Sequence, residues 1–360
     1  MTESVYIHIP FCRQKCFYCS FVSFALPEYI ETYLAALEKE ITYFYANEPL
    51  KTLYIGGGTP SILSSSQIFK ILSLFNFSKT TEVTMELNPE QVDEKYLKEI
   101  KNAGINRLSI GCQSFDENIL KLIGRKHTPT DVEFVVKTAK NCGFNNISLD
   151  FIYGLPEQTL TSFTNDLTRA KELNIQHISL YGLKIDEGCY FYKNPPTNIA
   201  DEDLQADMYL EAIKTLSDFE HYEISNFAKN NFVSRHNLNY WSNGNYYGFG
   251  TAAHGYLNNI RYSNQKNIKN YIANPLQKET EHKLSNQEIL EEEIFLGFRK
   301  MSGINTKNIN KKFNIDFEKK YSATLTKYLA SGHIKKTSCG YSLTNNGILV
   351  SNVILSEFID

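Results

Sequence analysis

The chain has 360 residues, a formal net charge of −3, 42% hydrophobic residues and 21% charged residues. That balance is typical of a globular protein with a sizeable core, and it excludes a general electrostatic attraction to nucleic acid or to an anionic membrane surface. The start, MTESVYIHIPF, lacks the pattern of a signal peptide, and no stretch reaches the roughly 18 apolar residues of a membrane span. Seven cysteines is an odd count, and three of them crowd together near the N-terminus. This argues against a secreted disulfide framework and for reduced thiols in metal chemistry, so a cytoplasmic location is expected.

From residue 4 to about residue 185, short β-rich runs alternate with helical patterns. The runs are 5–9 (VYIHI), 52–58 (TLYIGGG), 82–88 (EVTMELN), 107–113 (RLSIGCQ), 146–154 (NISLDFIYG) and 177–185 (HISLYGLKI). Amphipathic segments at 28–46, 93–104 and 130–143 lie between them, with Gly104 and Gly143 where helix C-caps belong. Near-continuous apolar strands alternating with helices predict parallel β/α units with both sheet faces covered. Six units are fewer than the eight of a closed barrel. The expected class is therefore α/β, an open partial (β/α)6 barrel with ligands at the C-terminal ends of its strands.

A helix is expected over 201–219 and a strand over 222–227. Residues 226–256, crowded with Asn, Gly and aromatics, are too aromatic for disorder and too rich in Gly and Asn for a regular element. They read as an ordered functional loop. From 285 the pattern changes to helices (285–301 and 316–332), a hairpin-like stretch (334–348) and a last short helix, a small helical or winged-helix-like domain. It has no dense basic cluster, so packing or a protein partner suits it better than DNA. The expected organisation is a partial barrel over 1–200, an extension over 201–284 and the C-terminal domain over 285–360.

The first strand runs into a loop reading Cys12-Arg13-Gln14-Lys15-Cys16-Phe17-Tyr18-Cys19, a C-x3-C-x2-C spacing. Three thiolates from one loop can hold three irons of a cubane and leave the fourth without a protein ligand, the open position that a reaction centre needs. A structural zinc site would need a fourth ligand, and no neighbouring His or Cys completes a matching pair. Phe17 and Tyr18 would help keep a cluster dry. The second strand ends in Gly56-Gly57-Gly58-Thr59-Pro60, which is either a tight β/α turn or a place where backbone approaches a ligand closely. Glu86 and Asp150 are charged residues inside apolar strands, costly unless paired or ligand-facing. Gln113 ends its strand, and Arg125 falls in IGRKH. The remaining cysteines, Cys112, Cys142, Cys189 and Cys339, are expected to pack.

The cysteine loop, with aromatics between its cysteines and a glycine run at the next strand end, resembles the radical S-adenosylmethionine superfamily. The strings VYIHIPFC, CFYCSF, GGGTP, MELNP, LSIGCQSF, IGRKH and DFIYGLPEQT are similar to one branch of it, the oxygen-independent coproporphyrinogen III dehydrogenases and their relatives. The resemblance implies a [4Fe–4S] cluster on Cys12, Cys16 and Cys19. It also assigns Tyr6, Tyr18, Gly57, Gly58, Thr59, Glu86, Gln113, Arg125 and Asp150 to S-adenosylmethionine.

Two departures separate the chain from the dehydrogenases: only about four residues precede the first strand, and Phe21 stands where they carry a further cysteine. Both features, and His236-Asn237-Leu238-Asn239-Tyr240-Trp241, resemble the HemW-type haem chaperones. That likeness implies haem as cargo, held by His236, Tyr240 and Trp241, with Tyr246 and Phe249 nearby and His254 as a second candidate ligand. It further implies haem-acceptor apoproteins, among them membrane respiratory proteins, an electron donor protein, a monomer–dimer equilibrium, and membrane contact only through partners. The rival expectation is the dehydrogenase itself, which decarboxylates two propionate side chains; a radical enzyme acting on another substrate is a third.

Overall fold

The computed structural model describes residues 2–229 and 231–359. Its centre is a nine-stranded sheet. Six parallel strands follow the expected runs: β1 (Ser4–Ile9), β2 (Thr52–Gly57), β3 (Glu82–Leu87), β4 (Arg107–Gln113), β5 (Ile147–Tyr153) and β6 (His177–Gly182). Each pairs parallel with its neighbour in sequence, with helices crossing between, as β/α units require. The 201–284 region lengthens this sheet at both edges. β7 (Glu220–Glu223) and β8 (Asn226–Ala228) add antiparallel beyond β6, and β9 (Tyr247–Phe249) adds parallel beside β1. Among the described residues the two edges do not pair, so the barrel is open.

The strands are not covered by apolar side chains on both faces. Val5, Ile7, Leu53, Ile55, Val83, Met85, Leu108, Ile110, Ile147, Leu149, Ile178 and Leu180 alternate along them and pack with the helices in the main core. The intervening positions are polar: Tyr6 and His8, Tyr54, Thr84 and Glu86, Arg107 and Ser109, Ser148 and Asp150, His177 and Ser179. With a period of two residues, these line the lumen. The runs look continuous in sequence because small and aromatic residues break up the polar face.

Helices Ile30–Phe44, Glu94–Ala103 and Pro129–Asn141 occupy the expected amphipathic segments. Gly104 closes the second in the left-handed conformation, and Thr128 with Asp131 forms a capping box on the third. The 226–256 segment departs from expectation. It holds β8, a helix (Arg235–Trp241), β9 and the start of β10 (His254–Leu257), and its Asn230 lies outside the described residues. Asn231 and Asn243 take positive φ there, as Asn tolerates, so the asparagines are hinges between short regular elements. β10 continues into a three-stranded antiparallel sheet with β11 (Ile260–Asn264) and β12 (Lys278–Lys283).

Beyond it, helix Asn286–Phe298, β13 (Ile304–Asn305), three helices between Thr306 and Ala330, β14 (Ile334–Lys336) and β15 (Gly340–Leu343) form a domain with its own core. β13 precedes those three helices and pairs with β15 of the β14–β15 hairpin that follows them, a winged-helix-like order. Tyr209 and Ile224 join this core from the barrel side. No helix among the described residues is long and apolar enough to cross a membrane.

Candidate functional site

A cavity of about 420 Å³ opens at the C-terminal ends of the strands. Cys12, Cys16 and Cys19 form one wall; Tyr18, Gly57, Gly58, Thr59, Glu86, Gln113, Arg125 and Asp150 form much of the rest. Of the residues assigned to S-adenosylmethionine, Tyr6 alone does not reach the lining. Its hydroxyl donates to His8 Nδ1 (2.9 Å), while His8 Nε2–H donates to the Val22 carbonyl (2.8 Å) in the cysteine loop. A carbonyl can only accept, which fixes this tautomer.

The loop is placed by backbone. Gly58 N–H donates to the Ile9 carbonyl and Thr59 N–H to the Phe11 carbonyl, both at 2.8 Å. A side chain at Gly58 would put its Cβ 2.7 Å from the Phe11 carbonyl and 3.0 Å from Cys12 Sγ. At Gly57, φ is +120° and a Cβ would meet the His8 ring at 2.7 Å. These glycines let β2 press against the loop that carries the thiols.

β4 ends in a bulge, with the register to β5 shifting between Gly111 and Gln113. Gln113 sits at φ 66°, a strained position for a residue with a side chain, and lines the cavity. Arg125 follows a short helix and turns inward. Its Nη2 donates to the Gly111 carbonyl (2.5 Å) and its Nη1 to Cys16 Sγ (3.6 Å), leaving Nε buried without a partner.

Glu86 accepts from the Tyr54 hydroxyl (2.9 Å) and from Gly57 N–H (3.1 Å); burial pushes it up to about 7. Asp150 accepts from Ser109 (2.8 Å to Oδ2) and Ser148 (3.2 Å to Oδ1), and burial raises it too. Tyr54, Ser109, Ser148 and the buried Arg107 were missed by sequence reasoning. Their signal was the polar residue at every second position of the strands.

The donor set fits a [4Fe–4S] cluster. The three half-buried thiols line one cavity. Among the described residues no three His, Cys, Asp or Glu side chains close around a single ion. Burial raises the Cys12 thiol and pushes Cys19 up to about 11, so metal binding at these sulfurs must displace protons. The orphaned Arg125 Nε and the two carboxylates offer a donor and acceptors to a polar ligand beside the cysteines.

The His236 motif lies at the other end of the barrel. His236 is 1% exposed. Nδ1 is 2.8 Å from Thr52 Oγ1, and Nε2 is 2.7 Å from the Tyr240 hydroxyl. Thr52 spends its proton on Ser4 Oγ, so Nδ1–H donates to Thr52 and the lone pair on Nε2 accepts from Tyr240. Burial lowers the imidazole to about 3 and keeps it neutral. In this fold, therefore, an iron ligand role for His236 requires the pair with Tyr240 to break. Trp241 lies under the Arg299 guanidinium at 4.5 Å, away from the cavity, and His254 is exposed on β10.

The radical SAM superfamily model matches residues 6–170, and the HemN C-terminal domain model matches residues 284–350. The heme chaperone HemW of Lactococcus lactis is 36% identical over 369 residues, covering 99% of this chain and 97% of that protein. The protein of the same name from Bacillus subtilis is 36% identical over 375 residues, covering 99% of each. The coproporphyrinogen III oxidase HemN of Escherichia coli, a radical SAM enzyme, superposes with a TM-score of 0.88 at 22% identity, covering 99% of this chain and 90% of that one; this establishes a shared fold. Fold, cysteine loop and matched domains define a radical S-adenosylmethionine protein with a HemN-type C-terminal domain, a class that carries a [4Fe–4S] cluster and S-adenosylmethionine. The chain belongs to the HemW family.

Proposed function

We propose that this chain is a haem chaperone, binding haem and passing it to acceptor apoproteins under the control of a [4Fe–4S] cluster and S-adenosylmethionine. The observation that carries this reading is its end-to-end similarity to proteins named heme chaperone HemW. Bound at Cys12, Cys16 and Cys19, a cluster supplies one-electron reduction of the sulfonium cofactor. Arg125 sets positive charge beside Cys16, 3.6 Å from its sulfur, while Glu86 and Asp150 accept hydrogen bonds from polar groups of the cofactor.

Exposed aromatic side chains at the cavity mouth could take haem without unfolding any element. Phe21 (69% exposed) and Tyr181 (45%) line it, and Lys15 lies on the same lining as a cation for a propionate; Lys184, also there, is paired with Asp186 at 3.1 Å. The motif at His236, Tyr240 and Trp241 is the other placement, and it requires the 235–241 helix to open. Acceptors that include membrane respiratory apoproteins, an electron donor protein, a monomer–dimer equilibrium and a cytoplasmic location complete the proposal.

The test is anaerobic haem titration of the cluster-reconstituted chain, followed by mixing with a haem-free acceptor. Expected are a saturable haem complex, weakened in Phe21→Ala/Tyr181→Ala, and transfer to the acceptor. No haem binding would overturn the reading. Conversion of coproporphyrinogen III to protoporphyrinogen by the same preparation would move the chain to the dehydrogenases.

A further inference from the structure

We propose that His236 is a positioning residue for the S-adenosylmethionine cavity, acting through the ring of Tyr54 on Glu86 and Gly57. The inference rests on assigning the cavity to that cofactor and, for its haem control, on placing haem at the cavity mouth.

The 235–241 helix is latched to the lower ends of two strands. Glu82, the first residue of β3, accepts Arg235 N–H (3.1 Å) and His236 N–H (3.0 Å), two of the helix's free N-terminal donors. Thr52, the first residue of β2, holds the imidazole. Five residue steps along the strand lead from Thr52 to Gly57, roughly 16 Å at about 3.3 Å per step, so His236 does not touch a ligand bound at the glycines. It does touch Tyr54. The two rings stack at 5.1 Å between centroids and 29° between planes. With both ring nitrogens hydrogen-bonded, the imidazole is a fixed plate against which Tyr54 rests.

Tyr54 transmits that placement upward. Its hydroxyl donates to Glu86 Oε1, and Glu86 Oε2 accepts Gly57 N–H, so one carboxylate ties the ring to the glycine run. Tyr6 stacks on Tyr54 too, at 6.1 Å and 29°, and its hydroxyl orients His8, whose Nε2–H holds the Val22 carbonyl in the cysteine loop. A column of rings, His236–Tyr54–Tyr6–His8, thus runs from the barrel floor to both walls of the cavity. Removing the lowest ring frees Tyr54 and loosens the donor that aims Glu86.

The experiment is calorimetric titration of S-adenosylmethionine into the anaerobic, cluster-reconstituted full chain, for wild type, His236→Asn, His236→Phe, Tyr54→Phe and His236→Asn/Tyr54→Phe, with haem titrated in parallel. Asn keeps a polar partner for Thr52 but loses the plate, and is expected to weaken cofactor binding about tenfold. Phe keeps the plate, and its affinity is expected within about threefold of wild type. Tyr54→Phe weakens binding on its own, and His236→Asn adds nothing in that background. Haem affinity is unchanged throughout.

Wild-type affinity in His236→Asn, or an effect that adds in full to Tyr54→Phe, overturns the inference. So does loss of haem with cofactor binding intact, which would make His236 an iron ligand. If the Asn variant does not fold, His236→Phe decides: retained binding of both ligands supports positioning, and loss of haem alone overturns it. A wild-type chain that binds no S-adenosylmethionine overturns the cavity assignment and this inference together.

Discussion

Replacing Glu86 by glutamine should remove a loss of stability that the wild-type chain suffers between about pH 4.5 and pH 7. Burial in the lumen holds this carboxyl near 7 against its ordinary 4.5, so the folded chain binds its proton more tightly than the unfolded chain does. For an acid raised on folding, the stabilising contribution is complete below about 4.5 and is lost as pH climbs to about 7. The distance between the two values corresponds to at most about 3 kcal/mol, and screening by water in the adjoining cavity brings the expected figure nearer 2 kcal/mol.

Glutamine keeps the hydrogen-bond count. Its oxygen can take Gly57 N–H, and its amide can donate to Tyr54, whose hydroxyl turns to accept. Urea denaturation of the cluster-free chain under reducing conditions, at intervals from pH 4 to pH 8, should give matching stabilities at the acid end. At the alkaline end the variant should be about 2 kcal/mol more stable. A difference that stays flat across the range would refute the claim that burial holds Glu86 protonated.

Gly58→Ala should cripple cluster assembly, because the new methyl meets a backbone carbonyl, Phe11, that cannot swing aside; iron bound after reconstitution should fall below about half of wild type while the far-UV spectrum is kept. Glu40→Ala should cost about 3–5 kcal/mol in urea denaturation, since it takes from Lys278, now 2.8 Å from the fully buried carboxylate, its counter-charge, and also removes the acceptor of Gly250 N–H and the Tyr271 hydroxyl. Ser109→Ala takes from Asp150 its 2.8 Å hydroxyl donor and should weaken S-adenosylmethionine binding by about three- to tenfold, read by the same calorimetry; unchanged binding would exclude Asp150 as a ligand.

The six β/α units, their helix caps, the cysteine loop and the glycine run could be read directly, because each is specified by neighbours in sequence. Glu86 and Asp150 were legible for a different reason: a charge in an apolar strand must face a partner or a ligand. The lumen was hidden. Thr84, Arg107, Ser109, Ser148, His177 and Ser179 form an alternating polar face, but Tyr54, Tyr6 and glycine interrupt it, and the runs then read as apolar on both sides. The 226–256 segment reads as loop from its glycines and asparagines, whereas Asn231 and Asn243 supply the positive-φ turns between short elements. The surroundings of His236 were out of reach altogether, since Thr52 lies 184 residues away along the chain and Glu82 lies 154 away.

The floor and the cavity should then be coupled in a measurable way. Arg107, 2% exposed, sits in the lumen with Glu86 and Asp150 above it, and its charge favours their ionised forms. Glu86 nevertheless stays high, because the protein around it withholds water from its lower side. An open sheet is dry at its lower end only if something plugs it. The 235–241 helix does so with His236 against Tyr54, while Tyr222, bonded to His177 Nε2 (2.9 Å) and to Ser234 N–H (3.1 Å), seals the adjoining edge. Opening the floor by His236→Asn should admit water and bring Glu86 back toward 4.5. The stability gap between glutamine and glutamate at position 86 at about pH 8 should then shrink from about 2 kcal/mol to less than about 1 in the His236→Asn background. A gap that stays at its wild-type size would show that the lumen is kept dry without the helix, and that the floor and Glu86 are independent.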